Sequence, residues 1–184
     1  METPVALDVR SGARLEARLA LPEAPKAGLV VCHPHPLYGG DMDNPVVVRA
    51  AEVAQGAGLA TLRFNFRGVG ASGGVHGGGE GEQDDVAAAL AMLAGRLPAE
   101  SPIGLAGYSF GAWVAARVAA AMPALPALAL LAPPLAMYDL DFLGHAPSRT
   151  LLVGGSRDQY CPVETIERLG KRLGIKAEII EGAE

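Results

Sequence analysis

The chain has 184 residues, a formal net charge of −5 and 50% hydrophobic residues. This composition excludes a disordered chain, and it predicts that residues 1–184 form one domain around a hydrophobic core. No basic block is present, so the sequence predicts neither nucleic acid nor an anionic membrane as a partner.

Apolar runs of four to eight residues predict strands along most of the chain. Residues 13–21 alternate apolar and polar side chains, which is typical of an edge strand with one exposed face. The opening strands are therefore expected to be antiparallel. Continuous apolar runs predict buried strands at residues 28–32, 59–66, 103–108, 127–132 and 149–155, and a weaker strand at residues 176–180.

Helical patterns fall between these strands, at residues 46–55, 83–96, 112–122 and 163–172. Strands that alternate with helices favour a mostly parallel sheet with helices on both faces. The predicted fold is an α/β/α sandwich of three layers with an antiparallel N-terminal edge. Residues 68–82 are rich in glycine and are expected to form a loop inside the domain.

Two features favour a cytoplasmic protein. The first residues have no basic segment followed by an apolar one, so no signal peptide is predicted. The two cysteines, Cys32 and Cys161, are far apart in the sequence, which favours reduced thiols over a disulfide framework. Residues 118–137 carry no charge, but four prolines interrupt them. A helix end, a turn and a buried strand are therefore predicted there, not a membrane span.

The stretch Gly107-Tyr108-Ser109-Phe110-Gly111 lies between a predicted strand and a predicted helix. In this position the pattern Gly-x-Ser-x-Gly indicates a sharp turn that exposes a serine hydroxyl. Ser109 is thus the candidate nucleophile, and the backbone N–H of Phe110 is a candidate donor to a developing oxyanion. The alternative is a tight turn in which Ser109 only caps the helix.

Asp158 follows the predicted strand at residues 149–155 and comes after Ser109 in the chain. This order suits a serine–acid–histidine triad, so Asp158 is the candidate acid. Asp139 and Asp141 are rival acids, but they lie in an irregular segment.

Four pieces of the sequence together resemble the α/β-hydrolase superfamily. They are "CHPHPLYGGDMDNPVV", "FNFRGVGASGG", "GYSFGAWVA" and "GSRDQYCP". More narrowly, the chain is similar to small lidless bacterial members related to the dienelactone-hydrolase-like esterases. The resemblance implies a serine hydrolase with Ser109 as nucleophile and Asp158 as acid. It also implies an oxyanion hole at the N–H groups of Phe110 and of His35 or Leu37, with His35 preferred.

The resemblance implies a histidine after the last strand, and the printed sequence has none beyond Asp158. Three explanations stay open. A C-terminal piece with the histidine and a final helix follows Glu184, or His145 or His76 reaches the site instead. In the third, the domain is an inactive hydrolase fold that binds a ligand without turnover.

Two other motifs have alternative interpretations. Residues 68–73 match Gly-x-Gly-x-x-Gly, but the predicted helix does not follow directly, which disfavours a dinucleotide site. His33 and His35 could bind a metal ion together with Asp41 and Asp43. However, no third ligand has the sequence spacing of a metal site. The sequence thus predicts no cofactor and no metal.

The substrate is predicted to be a small molecule, with a preference for a carboxylic ester. Only about seventeen residues separate two of the predicted strands, too few for a lid domain. Tyr38, Tyr108 and Met137 are candidate pocket residues, as are Phe110 and Tyr138. Arg67 either braces the loops near the site or is a solvated arginine at a strand end.

Overall fold

The computed structural model describes residues 1–145 and 147–184. It contains one mixed sheet of eight strands. The strands are β1 (Thr3–Asp8), β2 (Arg14–Ala20), β3 (Gly28–Cys32), β4 (Ala60–Phe64), β5 (Ile103–Tyr108), β6 (Ala127–Leu131), β7 (Arg149–Gly155) and β8 (Ala177–Ile180). The helices are α1 (Pro45–Gly56), α2 (Glu80–Ala94), α3 (Phe110–Ala121) and α4 (Val163–Leu173), and a short 3₁₀ turn spans Pro36–Tyr38.

The strand order in the sheet is β1-β2-β4-β3-β5-β6-β7-β8. β1 pairs antiparallel with β2, and β2 pairs antiparallel with β4. All later pairs are parallel. The predicted fold class is therefore confirmed, including the antiparallel N-terminal edge. The sequence patterns gave no separate signal for β1, because Pro4 interrupts its short run.

The helices cover the sheet from both faces. On one face, Val47 and Ala51 of α1 pack against Val31 and Ala106 of the central strands. On the other face, α2, α3 and α4 enclose the larger core around Leu105, Leu130 and Leu152. Residues 118–137 form the end of α3, a turn and β6, as predicted. In the described part of the chain, no helix is both long and apolar enough to cross a bilayer.

One part of the sheet has an exposed apolar surface. Leu151 of β7 and Ile180 of β8 are 46% and 56% exposed, on the face opposite α4. Of the described helices, none covers this area. A further C-terminal helix stays a prediction.

Helix α2 begins three residues earlier than the sequence pattern indicates. The reason is Glu82, which is fully buried and accepts the N–H groups of Gly77 and Gly79 at 2.8 and 2.7 Å. Acidic residues at a helix start are usually solvated, so the pattern placed the start at Gln83. Here the buried carboxylate caps its own helix and fixes the glycine-rich loop before it.

Arg67 also orders the loops at this edge of the sheet. Its guanidinium donates to the fully buried carboxylate of Asp85, with Nη2 at 2.7 Å from Oδ1 and Nε at 3.1 Å from both oxygens. The pKa of Arg67 is raised by this hydrogen-bonded carboxylate. The interpretation of Arg67 as a solvated strand-end residue is therefore wrong. The arginine ties the loop after β4 to α2.

His33 ties the ends of β3 and β4 together. It is fully buried, its Nδ1 donates to the Pro34 carbonyl at 2.6 Å, and its Nε2 accepts the Phe66 N–H at 2.9 Å. Because Nε2 is the acceptor, the ring is neutral. Burial lowers the pKa of His33 to about 4. With both nitrogens engaged, His33 is not available to a metal ion together with His35.

We predict that His33 makes folding sensitive to mild acid. The unfolded chain takes up a proton near pH 6.5, whereas the folded chain resists it down to about pH 4. The free energy of unfolding should thus fall as the pH drops through this window, by about 2 kcal/mol at pH 5 from this residue. Urea denaturation at pH 7.5 and pH 5 should show a shallower pH dependence in His33→Leu.

The matched control is His145→Leu, which changes an exposed imidazole. It should keep the pH dependence of the unmodified protein. Equal pH dependence in His33→Leu and the unmodified protein would contradict the assignment.

Candidate active site

Ser109 occupies the sharp turn between β5 and α3. Its backbone has φ 54° and ψ −120°, a conformation that is costly for any residue with a side chain. The Ser109 N–H donates to the Leu131 carbonyl, and the Ser109 carbonyl accepts the Ala112 N–H, both at 2.9 Å. These bonds hold the turn, so the hydroxyl is presented at the carboxyl edge of the sheet.

Both glycines that flank Ser109 are required by close contacts. A Cβ on Gly107 would overlap the carbonyl of Gly111. A Cβ on Gly111 would lie 2.5 Å from the carbonyl oxygens of Cys32 and His33. No other residue fits at either position, and the first turn of α3 therefore packs directly on the end of β3.

Two residues that line one cavity with Ser109, Phe110 and His35, have free backbone N–H groups. In the described ranges, neither the Phe110 N–H nor the His35 N–H donates to another protein group. The Leu37 N–H, by contrast, donates to His35 Nδ1 at 3.2 Å. Phe110 is also the first residue of α3, where the helix dipole favours negative charge.

Asp158 lies in the turn after β7, at the same edge of the sheet. Its Oδ1 accepts the N–H groups of Tyr160 and Cys161 at 2.8 and 3.0 Å. The other oxygen, Oδ2, has no partner among the described residues. Burial and the neighbouring Asp158 raise the pKa of Tyr108, which keeps that phenol neutral. The turn therefore fixes the orientation of the Asp158 carboxylate and leaves one oxygen able to accept a bond.

Ser109 lies between two cavities. The first, here named the aromatic cavity, has a volume of about 420 Å³. It is lined by His35, Tyr38, Asn44, Tyr108, Ser109, Phe110, Pro134, Met137, Tyr138 and Tyr160, with Pro34, Gly39 and Gly40. The second, named the polar cavity, has a volume of about 520 Å³ and is lined by Tyr108, Ser109, Ala132, Arg157, Asp158, Gln159, Tyr160 and Glu184. The structure thus brings Ser109 and Asp158 to one cavity.

The predicted pocket residues Tyr38, Tyr108 and Met137 all line the aromatic cavity. Sequence reasoning missed Tyr160, which lines both cavities. Its position two residues after Asp158, in the same turn, could have indicated that Tyr160 lies at the site.

None of the four histidines, all described, lines the polar cavity. His33 is fully engaged, and His35 lies on the opposite side of Ser109. His76 lies beside the buried carboxylate of Glu82, with Nδ1 2.9 Å from Oε1. His145 is exposed in the segment before β7. The structure therefore gives no support to His145 or His76 as the base.

The side chain of His35, in addition to its backbone N–H, contributes to the structure of the site. Its ring packs on Phe110 at 4.7 Å and on His76 at 5.1 Å between centroids. Burial lowers the pKa of His35, and the neighbouring His76 adds to this effect. A neutral ring is what allows Nδ1 to accept the Leu37 N–H.

The rival acids Asp139 and Asp141 lie outside both cavities. Asp139 Oδ1 accepts the Asp141 N–H at 3.1 Å, and Asp141 lies 3.5 Å from Arg172. Of the described residues between β6 and β7, none forms a helix.

Comparison with known proteins assigns the chain to a family. The sequence model of the X-Pro dipeptidyl-peptidase (S15) family matches residues 11–167. An uncharacterised protein of Rickettsia prowazekii is 35% identical over 182 residues, which cover 93% of this chain and 76% of that protein.

Solved structures agree with this assignment. A candidate α/β-hydrolase of unknown function from Agrobacterium tumefaciens has a TM-score of 0.91 at 33% identity, over 98% of this chain and 86% of its own. A lidless α/β serine hydrolase from Xanthomonas campestris has a TM-score of 0.87 at 32% identity, over 98% of this chain and 83% of its own. The chain therefore belongs to the X-Pro dipeptidyl-peptidase (S15) family of the α/β-hydrolase superfamily, and it is similar to bacterial α/β-hydrolases that include a lidless serine hydrolase.

Proposed function

We propose that this protein is a serine hydrolase that cleaves small, uncharged carboxylic esters through an acyl-enzyme. The observation that carries the proposal is the placement of Ser109. It has the strained backbone of a nucleophile turn, and it shares the polar cavity with the Asp158 carboxylate. A serine that only caps a helix would need neither feature.

The two free N–H groups support an oxyanion hole at Phe110 and His35. Backbone donors that are already oriented stabilise a tetrahedral oxyanion without any reorganisation during the reaction. Leu37 is the weaker candidate, because its N–H is already bound to His35 Nδ1.

We propose that the general base is a histidine that enters the polar cavity from residues that follow Glu184. Glu184 lines this cavity, and about 520 Å³ is ample room for an imidazole between Ser109 and Asp158. The free Oδ2 of Asp158 would accept the Nδ1–H of that ring. This bond would hold the tautomer that leaves Nε2 facing the serine.

The proposed reaction has two halves. Ser109 Oγ bonds to the ester carbonyl carbon while its proton passes to the histidine, and the oxyanion is held by the two N–H groups. The C–O bond to the alcohol then breaks, and the histidine returns the proton to the leaving oxygen. Water attacks the acyl-enzyme by the same route and releases the carboxylic acid and free Ser109.

The family description suggests a peptidase as the other candidate, but the cavity favours an ester. A dipeptidyl-peptidase substrate has a free N-terminal ammonium group, which needs a carboxylate when it is taken out of water. The aromatic cavity has no acidic residue in its lining. An uncharged ester has no such requirement.

We predict that a fluorophosphonate probe adds one adduct to the full-length protein and that Ser109→Ala abolishes it. The probe reacts only with an activated serine, so the adduct reports on the nucleophile and its base together. Intact mass spectrometry before and after labelling is the measurement. The same spectrum tests for residues after Glu184, because residues 1–184 alone have a mass of 18.9 kDa.

The matched control is Ser101→Ala, since Ser101 lies beside the opposite end of β5. This variant should be labelled like the unmodified protein. A mass of 18.9 kDa without any adduct would contradict the proposal and favour an inactive binding protein.

We predict that Asp158→Asn lowers kcat for a small ester by about 10³- to 10⁴-fold, because the amide would orient the wrong histidine tautomer. KM should change little, since Asp158 does not line the aromatic cavity. Steady-state kinetics of Asp139→Asn provides the control, and this variant should keep its activity. Equal losses in both variants would argue against Asp158 as the acid.

We predict that His35→Pro lowers kcat by about 10²- to 10³-fold, because proline removes the oxyanion donor. The backbone at His35 has φ −59°, which proline adopts without strain. His35→Ala is the matched control, since it also loses the imidazole but keeps the N–H. Similar kcat values in the two variants would show that His35 is not the donor.

A further inference from the structure

The aromatic cavity collects every tyrosine of the chain. The sequence has four tyrosines, and all four line this one cavity beside Ser109. Tyr38 is 78% exposed at its mouth, and Tyr160 is 53% exposed. No lysine, arginine, aspartate or glutamate contributes to the lining. The cavity therefore offers ring faces and neutral polar tips, which suits a flat, uncharged group.

The wall of this cavity is a continuous series of ring contacts. Tyr38 packs on His35 and His35 packs on Phe110, each at 4.7 Å between centroids. Phe110 lies 5.7 Å from Trp113, and Trp113 stacks on Tyr138 at 4.5 Å with 25° between the planes. His35, Phe110 and Tyr138 are thus each supported by neighbouring rings, so this part of the wall is preorganised.

Tyr138 is the best-supported ring that faces the cavity. Behind it, Trp113 is only 9% exposed, and the Arg117 guanidinium lies over the indole, 5.2 Å from the ring centroid. A ring fixed in this way loses little entropy when a second ring packs on it.

The polar cavity on the other side of Ser109 has a different chemistry. Arg157, Asp158 and Glu184 line it, so it contains formal charges of both signs. In the proposed reaction the histidine gives its proton to the leaving oxygen, so the leaving group must lie on this side. The acyl group of the substrate then points into the aromatic cavity.

We infer that the aromatic cavity binds the ring of an aromatic acyl group, so that the preferred substrates are esters of small alcohols with carboxylic acids whose acyl group carries an uncharged aromatic ring. This inference rests on the proposed function for the position of the scissile bond. The preference for an aromatic ring rests on the cavity lining alone.

The test compares two ligands that differ only in ring saturation, methyl phenylacetate and methyl cyclohexylacetate. Their binding to the full-length Ser109→Ala protein is measured by isothermal titration calorimetry, so that neither ester is hydrolysed. An apolar cavity without ring preference would bind the more hydrophobic cyclohexyl ester more tightly. We expect the phenyl ester to bind more tightly, by about three- to tenfold.

The Tyr138→Leu change, made in the same background, should remove most of this preference for the phenyl ester. Phe142→Leu is the matched control, because Phe142 also contacts Arg117 but lies outside the cavity. It should keep the preference. If Tyr138→Leu fails to fold, Tyr38→Leu at the exposed mouth replaces it, with a smaller reduction expected.

Tighter binding of the cyclohexyl ester, or an equal preference in the tyrosine and Phe142 variants, would overturn the inference. The two proposals fail separately. Fluorophosphonate labelling of Ser109 without a ring preference refutes only the aromatic acyl group. A ring preference without labelling refutes the hydrolase and leaves an aromatic binding site.

Discussion

At Gly111, the first turn of α3 lies against the carbonyl oxygens of Cys32 and His33, at a distance where no Cβ fits. This contact sets the distance between the turn at Ser109 and the loop that begins at His33. Phe110 and His35, which belong to different elements and have free N–H groups, line one cavity together with Ser109. In the proposed mechanism, a looser contact would separate the two donors, and they could no longer share the charge of one oxyanion.

Buried charges secure the loops that surround this contact. Asp85 and Glu82 are both fully buried on α2, and each holds a different part of the loop between β4 and α2. Asp85 is bound by Arg67, whereas Glu82 accepts two backbone N–H groups and lies beside His76. A buried carboxylate raises the free energy of the folded state unless it is fully hydrogen-bonded. These contacts therefore favour one conformation of the loop over the alternatives. The aromatic cavity, by contrast, has no aspartate, glutamate, lysine or arginine in its lining.

Sequence patterns predicted a mostly parallel sheet with an antiparallel edge, all four helices and the turn at Ser109. Each of these features depends on local residue spacing. The boundaries of β3, β5 and β7 agree with the predicted ranges to the residue. The role of Glu82 could not be predicted, since its burial results from a loop that folds back over it. Tyr38, Tyr108 and Tyr138 were predicted as pocket residues, whereas Tyr160 was not, because its segment reaches the cavity only through the parallel strand order.

The stacking of Trp113 on Tyr138 has a practical consequence. Trp113 is the single tryptophan of the chain, and it lies directly behind a wall of the aromatic cavity. Its emission is therefore an intrinsic optical probe, separated from any occupant by one phenol ring. Ligand entry can be followed in the unlabelled protein at low concentration and on the stopped-flow timescale, without an external dye.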